Sequence, residues 1–260
     1  MSRLREMLAG GKLVKVFCVG QLCHPKIVEI VGQHGGYDAV WLDQEHAGLS
    51  IQQIELACLA ARAVGLDTFV RLAATDYATV MRPLEAGAGG VMAAMVRSSR
   101  QAADVVQWAL FHPHGLRGVN GTGVDGRYGT MPLAAYFERA NAGTFVAIQI
   151  EHIDAVHEVE AIAAIPGVDV LFVGPADLGQ SMGLVGQWDH PDLWQPIERV
   201  ARAAHAHGIA WAILPRDLAY ARRCLELGCR MLSVGIDVWA LERGLTSFLT
   251  EFAIESGSAP

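Results

Sequence analysis

Eight short runs rich in apolar and β-branched residues alternate with helical stretches along the whole chain. Apolar residues at spacings of three and four predict the helices, which cover 51–65, 75–87, 153–165, 192–207 and 216–228. Strands that alternate with helices in this way form parallel sheets. The chain is therefore predicted to be an α/β protein, with strands at 14–19, 38–43, 67–72, 89–95, 144–151, 168–173, 208–214 and 230–235.

Two architectures fit this alternation, a closed barrel and an open doubly wound sheet. The runs FVAIQI and VDVLFV are apolar on both faces, which is typical of strands buried between a filled barrel interior and an outer ring of helices. No GxGxxG follows the first strand, as a dinucleotide-binding sheet would require. We therefore expect one (β/α)8 TIM-barrel domain over 1–260, with a flexible tail at about 254–260.

Composition and charge exclude several other classes of protein. The net charge is −7 and there is no cluster of Lys or Arg, so no nucleic-acid partner is expected. No apolar run approaches the length of a membrane span and no signal-peptide pattern begins the chain, so we expect a cytoplasmic protein with no membrane partner. The five cysteines form no CxxC pair, which argues against disulfides and structural zinc.

Unusual polar residues follow the predicted strands, at the barrel end where active sites of this fold are built. The second strand runs into Asp43-Gln44-Glu45-His46 and the third carries Arg71. The fifth carries Gln149 and Glu151, and the sixth runs into Gly174-Pro175-Ala176-Asp177. The sequence thus predicts a functional site at this end of the barrel.

Glu151 and Asp177 are the candidate metal ligands. Hard divalent cations are commonly held by one or two carboxylates plus water and substrate oxygens. The alternative is structural, with Glu151 as a helix-capping acid and Asp177 capping the turn after Gly-Pro. Because Gln149 alternates onto the same face as Glu151, the pair favours the metal site over capping.

Arg71 and His46 are the candidate catalytic side chains. Arg71 is expected to point into the barrel mouth and neutralise an enolate or carboxylate oxygen, or else to serve as a structural ion-pair partner. Asp43, three residues before His46, is expected to orient the imidazole and raise its basicity. A structural role for His46 is the alternative.

Two further features of the sequence bear on function. The run Gly179 to Gly183 matches the GxSxG nucleophile elbow, but its serine is too far from the strand end for a serine hydrolase. The Gly-rich segment 112–132, before the fifth strand, is predicted to be functional or mobile because long loops in compact domains usually are.

The motifs YDAVWLDQEHAGLS, FVRL, PLEAGAGGVMAAMV, LRGV, IQIEH and VDVLFVGPADLGQSMG together resemble, in this order, the HpcH/HpaI aldolase family. The resemblance covers about 14–250. It implies a class II pyruvate aldolase on a phosphoenolpyruvate/pyruvate-type barrel, assembled as a hexamer, a trimer of dimers.

Carried over by position, the resemblance makes Glu151 and Asp177 the metal ligands, His46 the proton acceptor and Arg71 the stabiliser of an enolate-like transition state. Asp43 would support His46. Substrate contacts would come from Gln149 and from the segment Gly174, Pro175, Ala176 and Asp177. Mg²⁺ is the first expectation for the metal, with Mn²⁺ and Co²⁺ acceptable to the same oxygen ligands.

This chain departs from the family pattern at two positions. Gln44 stands where the family usually has Gly in DGEH, which would alter the room or polarity of the aldehyde pocket. Glu85 stands where the family has an Asp that raises the basicity of the catalytic His, often from a neighbouring subunit. The carboxylate is kept at Glu85 with one more methylene, so its role is expected and its geometry is open.

The expected reaction is reversible aldol addition between pyruvate or hydroxypyruvate and an aldehyde, with the metal as Lewis acid. No Lys lies at a predicted strand end, so no Schiff base is expected. The alternatives are a 2-oxoacid decarboxylase acting on oxaloacetate, a carbon–carbon lyase of CoA thioesters, and a non-catalytic barrel that binds a small acid.

Overall fold

A closed barrel of eight parallel strands forms the centre of the computed structural model, which describes residues 3–253. Each strand pairs with the next in sequence, and β8 closes the barrel against β1. The predicted (β/α)8 barrel is confirmed. The strands are β1 Val14–Val19, β2 Ala39–Asp43, β3 Asp67–Ala73, β4 Gly90–Ala94, β5 Phe145–Ile150, β6 Val170–Val173, β7 Ala210–Ile213 and β8 Met231–Ile236.

Large apolar side chains fill the barrel interior because alternate residues of every strand point inward. Trp41, Phe69, Phe145 and Phe172 lie in this interior cluster, and Phe69 packs against Phe145 with ring centroids 5.3 Å apart. Leu4, on the first helix, is fully buried in the same cluster. The amino end of the barrel is therefore closed, and the carboxyl end is left for a site.

Helices surround the barrel in the expected alternation. Most predicted helices match within two or three residues, but the segment 153–165 is divided at Glu158, where ψ rises to 13°. The helices are α1 Arg3–Ala9, α2 Pro25–His34, α3 Ile51–Ala63, α4 Tyr77–Glu85, α5 Ser99–Ala109, α6 Leu133–Gly143, α7 Ile153–His157, α8 Val159–Ala163, α9 Pro175–Ser181, α10 Pro191–Ala206, α11 Leu218–Glu226 and α12 Asp237–Glu251.

The Gly-rich segment 112–132 lies between α5 and α6, and it begins at the amino end of the barrel, where α5 ends. It is held by a buried network in which Arg117 and the Tyr136 hydroxyl both bond the carboxylate of Asp125. The backbone N–H of Gly118 also donates to the Tyr77 hydroxyl. Tyr77 is the first residue of α4 and Glu85, which lies beside Gly123, is the last, so the segment extends along α4 from the amino end of the barrel toward the carboxyl end.

The expected flexible tail at 254–260 falls outside the described residues. Among helices within residues 3–253, none combines the length and apolar character needed to cross a membrane.

Candidate active site

A pair of oppositely charged side chains joins the ends of β2 and β3. The two strands pair in register at Asp43 and Arg71. The guanidinium binds both oxygens of the carboxylate, with Nε 3.0 Å from Oδ1 and Nη2 2.7 Å from Oδ2, and lies over the Trp41 ring. A two-point contact of this kind fixes the plane and position of the guanidinium.

The His46 imidazole does not depend on Asp43 as the sequence suggested. Asp43 Oδ1 accepts the backbone N–H groups of Glu45 and His46, each at 3.2 Å, while both carboxylate oxygens bind Arg71. The imidazole Nε2 instead lies 3.7 Å from the carboxylate of Glu45, and the His46 side chain is 63% exposed. Asp43 thus orients Arg71 and the turn, and leaves the imidazole accessible.

Glu151 follows β5 and is 1% exposed. Its Oε1 accepts the backbone N–H of Met95 at 2.7 Å, and its Oε2 accepts the Nε2 of Gln149. Met95 has a φ of 53°, in the left-handed region that non-glycine residues rarely adopt. The β4 end therefore adopts an unfavourable backbone conformation that directs an N–H at this carboxylate.

Gly174 lets the β6–α9 connection approach Glu151 closely. A Cβ at this position would lie 2.5 Å from Glu151 Oε2 and 2.8 Å from Glu151 Cβ. Pro175 begins α9, Ala176 is exposed and Asp177 is half-buried in the first turn. The connection thus brings Asp177 into the same mouth as Glu151.

The site has a surplus of negative charge. The pKa of Glu151 is raised to about 7, chiefly by burial, with a smaller contribution from the nearby Glu45 and Asp177, while the hydrogen bond from the Met95 N–H opposes the rise. Burial also raises the pKa of Glu45, although Arg71 and His46 oppose this. Four carboxylates, those of Asp43, Glu45, Glu151 and Asp177, therefore share this mouth with Arg71.

The residues of the mouth fit a hard divalent cation. The ligand atoms they offer are carboxylate oxygens. The Oε1 of Gln149 is buried without a hydrogen-bond partner, and the buried Oε2 of Glu45 has only ion-pair contacts, at 3.4 Å from Nε of Arg71 and 3.7 Å from Nε2 of His46. Within residues 3–253, no group of three or more His, Cys, Asp or Glu side chains forms a complete metal cage. Two carboxylates with open positions are the usual arrangement for Mg²⁺ that also binds a substrate.

Glu45 and Met95 belong to this mouth, although neither was among the candidates from the sequence. Glu45 lies in a turn beyond β2, where strand alternation no longer indicates direction. The side chain of Met95 carries no chemistry, and its contribution is a backbone N–H. The acidic DxEH pattern could have indicated Glu45, but no residue pattern indicates the φ of Met95.

Glu85 lies elsewhere. It is the last residue of α4, which leads to the start of β4, and so it sits at the amino end of the barrel. There its backbone lies beside Gly123 of the Gly-rich segment. Within one chain the barrel separates Glu85 from His46, so the expected effect on the imidazole requires a second copy.

Ser181, the serine of the GxSxG match, has a structural role. Its hydroxyl donates to the carbonyl of Leu178 at 2.8 Å and accepts the backbone N–H of Ile153 at 3.1 Å. It ends α9 instead of following a strand directly, so the geometry of a nucleophile elbow is absent here.

Curated relatives cover almost the whole chain. A 5-keto-4-deoxy-D-glucarate aldolase from Salmonella arizonae is 33% identical over 247 residues, which is 95% of each chain. One from Salmonella paratyphi C is 34% identical over 92% of each chain. Both relatives are named as aldolases, which are carbon–carbon lyases.

Solved structures show the same fold. The crystal structure of an HpcH/HpaI aldolase from Desulfitobacterium hafniense DCB-2 is 31% identical, with a TM-score of 0.91 over 99% of both chains. The citrate synthase SbnG is 25% identical, with a TM-score of 0.86 over 95% of this chain and 96% of its own. The family model for HpcH/HpaI aldolase/citrate lyase matches residues 16–243. As its motifs predicted, the chain belongs to the HpcH/HpaI aldolase/citrate lyase family and is a carbon–carbon lyase.

Proposed function

We propose that this protein is a class II aldolase that reversibly joins pyruvate or hydroxypyruvate to an aldehyde, giving a 4-hydroxy-2-oxo acid. The observation that carries the proposal is the concentration of carboxylates around the buried Glu151, beside an arginine already paired with Asp43. Burial raises the pKa of Glu151 to about 7, and the neighbouring Glu45 and Asp177 contribute to the rise. Such a mouth is stabilised by a divalent cation. Mg²⁺ is our first choice for the cation, with Mn²⁺ and Co²⁺ as alternatives.

Glu151 and Asp177 would hold the cation, which acts as a Lewis acid toward the 2-oxo acid when bound. Gln149, whose amide oxygen is buried and unpartnered, would contact the 2-oxo acid. The connection from Gly174 to Asp177 would form the wall beside it. These contacts recognise the part of the molecule that pyruvate and hydroxypyruvate share.

Arg71 would stabilise the charge that develops on the 2-oxo oxygen. Its Nε and Nη2 are bound to Asp43, and its Nη1 makes no hydrogen bond to any residue in 3–253. An N–H donor that is already oriented costs little reorganisation during the reaction. Asp43 is therefore a positioning residue for Arg71.

His46 would move the protons. In the addition direction the base removes a proton from C3 of pyruvate, and the electron pair of that C–H bond forms the enolate. C3 then bonds to the aldehyde carbon, and the aldehyde oxygen receives a proton. The exposed imidazole of His46, close to Glu45, suits a group that exchanges protons at the mouth. Cleavage follows the reverse sequence.

Loss of the pyruvate methyl protons to D2O tests the first of these steps. We expect NMR to show exchange that requires added Mg²⁺ or Mn²⁺, stops with EDTA, and falls by about 100-fold or more in Glu151→Gln. Glu29→Gln, which removes an exposed carboxylate from α2, is the matched control and should exchange like the wild type. Metal-independent exchange, or wild-type exchange by Glu151→Gln, would refute the proposal.

The likeness to citrate synthase SbnG supports testing a second group of reactions, because one enolate serves several carbon–carbon bond reactions. The alternatives are decarboxylation of oxaloacetate and cleavage of a CoA thioester. Turnover of a 4-hydroxy-2-oxo acid, oxaloacetate and a malyl thioester should be measured side by side. Fastest turnover of the 4-hydroxy-2-oxo acid is expected.

A further inference from the structure

Strand β8 supplies none of the residues assigned a role in the proposed reaction, yet two buried polar side chains belong to it. Ser233 lies within the strand and is 1% exposed, and Asp237 follows the strand directly and is 4% exposed. Burial of a polar group lowers stability unless the group is hydrogen-bonded, so the partners of these two side chains show what each one does. The partners of both lead to Arg71.

Asp237 holds the segment that follows β1. Its Oδ2 accepts the backbone N–H groups of Gly20 and Leu22, each at 2.8 Å. Its Oδ1 accepts the backbone N–H of Val238, also at 2.8 Å. One buried carboxylate therefore fixes the end of β1 relative to the start of α12.

Gly20 in turn packs against Asp43. The strands β1 and β2 pair up to Val19 and Leu42. The residues that follow, Gly20 and Asp43, therefore lie side by side, and a Cβ on Gly20 would lie 3.4 Å from Cβ and 3.9 Å from Oδ2 of Asp43. This Oδ2 is the atom that accepts the Nη2 of Arg71 at 2.7 Å. A displacement of the end of β1 would therefore reach Arg71 through Asp43.

Ser233 supports Arg71 from the barrel interior through Trp41. Its hydroxyl accepts the indole N–H of Trp41 at 2.8 Å. The Trp41 side chain is 2% exposed, and the Cζ of Arg71 lies 4.9 Å from the centroid of its ring. Stacking of a guanidinium on an indole is attractive, most of all where water is excluded. The hydrogen bond from Trp41 to Ser233 thus fixes the surface on which the guanidinium rests.

We propose that Ser233 and Asp237 are positioning residues that orient the Arg71 guanidinium toward the charge that develops on the 2-oxo oxygen. Ser233 acts through the indole ring, and Asp237 acts through the end of β1. The inference rests on the role of Arg71 in the proposed aldolase function. The proposed metal ligands follow β5 and β6, across the barrel from β1 and β2, so metal binding should not depend on either residue.

Exchange of the pyruvate methyl protons in D2O measures the effect of each residue. Asp237→Asn keeps one acceptor oxygen and replaces the other by an NH2 group, which cannot accept the N–H groups bound in the wild type. We expect it to lower the kcat of exchange by about 10-fold or more. Ser233→Ala, which leaves the indole N–H without its acceptor, should lower kcat by about 3-fold or more. Both variants should keep the wild-type Mn²⁺ affinity within about twofold in titration calorimetry.

Two comparisons separate positioning from a general loss of stability. Asp169→Asn is the matched control, because Asp169 also accepts a backbone N–H, from Val146 at the amino end of the barrel. It should lower the free energy of unfolding in urea and leave the kcat of the folded protein unchanged. The second comparison uses Arg71→Lys, whose ammonium cannot make the two-point contact with Asp43. Adding Asp237→Asn to Arg71→Lys should lower kcat by less than about twofold, because the guanidinium to be oriented is already absent.

Crystal structures of the two variants show the guanidinium directly and require no turnover. We expect the Arg71 guanidinium to be displaced by about 0.5 Å or more in Asp237→Asn and in Ser233→Ala. An undisplaced guanidinium in both variants, or equal losses of kcat from Asp237→Asn in the wild-type and Arg71→Lys backgrounds, would overturn the inference. Absence of exchange by the wild type would reject the aldolase proposal, and the position of the guanidinium would still decide whether Ser233 and Asp237 orient Arg71.

Discussion

At the residue scale, Glu151 shows how the fold creates a reactive carboxylate. The side chain is almost fully buried, with one N–H from Met95 and one amide from Gln149 as its donors. Burial disfavours its charged form, and the nearby Glu45 and Asp177 add repulsion, so its pKa rises to about 7. A bound cation removes this penalty because it replaces the proton.

The raised pKa of Glu151 sets the sign of its effect on stability as the pH changes. The folded pKa is raised, so between about pH 4.5 and about pH 7 the metal-free folded protein keeps a proton that the unfolded chain releases. The contribution of Glu151 to the free energy of unfolding therefore falls as pH rises through this window. Above about pH 7 the folded protein carries the full cost of burying the ionised carboxylate. We expect Mn²⁺ binding to release close to one proton at pH 6 and almost none at pH 8.5.

Calorimetry in two buffers of different ionisation enthalpy measures this proton release. Equal release at both pH values would contradict the assignment of the raised pKa to the metal-binding carboxylate. Asp154→Asn, an exposed acid in the first turn of α7, is the control and should leave the release unchanged.

At the element scale, the junction between β6 and α9 sets the distance between the two proposed metal ligands. β6 pairs with β5 at Val173 and Ile150, so the segments that follow them emerge side by side. Gly174 then passes so close to Glu151 that no side chain fits without displacing the acid. The φ of Gly174 is −100°, a backbone conformation that any residue can adopt. Glycine is therefore needed here because there is no room for a Cβ, and the backbone conformation does not require it.

Gly174→Ala tests this requirement. We expect the new methyl group to displace the Glu151 carboxylate, weakening Mn²⁺ binding by about 10-fold or more and lowering the free energy of unfolding by about 1–3 kcal/mol. Gly121→Ala, whose Cβ would meet its nearest atom at 3.4 Å, is the matched control. Isothermal titration and urea unfolding measure the two effects. Wild-type Mn²⁺ affinity in Gly174→Ala would show that the close contact between residue 174 and Glu151 is not needed for metal binding.

At the scale of the whole molecule, α12 contacts the barrel but leaves most of its side chains exposed. Asp237 is its only buried residue. Large apolar side chains recur at helical spacing along one face and remain exposed, namely Leu241, Leu245, Phe248, Leu249 and, just beyond the helix, Phe252. A patch of this kind marks an interaction surface. We propose that a second copy covers it and that the copies assemble as a hexamer, a trimer of dimers, in which Glu85 of one copy could approach His46 of another.

The assembly is tested by the molar mass in solution. Light scattering on the wild type should give about six times the chain mass of 27.9 kDa. The double substitution of Leu245→Glu with Phe248→Glu should lower it, because charges on the apolar face oppose burial. Arg243→Glu, on the opposite face of α12, is the control and should keep the assembly. A monomeric wild type would contradict the proposal.

The barrel and most of its chemistry could be predicted from local patterns. Apolar periodicity is sufficient to predict the alternation of strands and helices. Because parallel strands of a barrel end at one face, Arg71, Glu151 and Asp177 could also be predicted to lie near one another. The pairing of individual side chains could not be predicted in this way. Asp43 bonds Arg71 because β2 and β3 pair at these residues, and strand register is a property of the folded sheet.

The sequence by itself therefore determined the architecture and the kinds of group at the barrel mouth, because both follow from residue type and spacing. Only the tertiary structure decided how these groups meet. The left-handed backbone of Met95, the turn that places Glu45 beside His46, and the position of Glu85 at the opposite end depend on contacts between residues far apart in the chain. Those contacts form only when distant segments of the chain pack together, so no local pattern in the sequence indicates them.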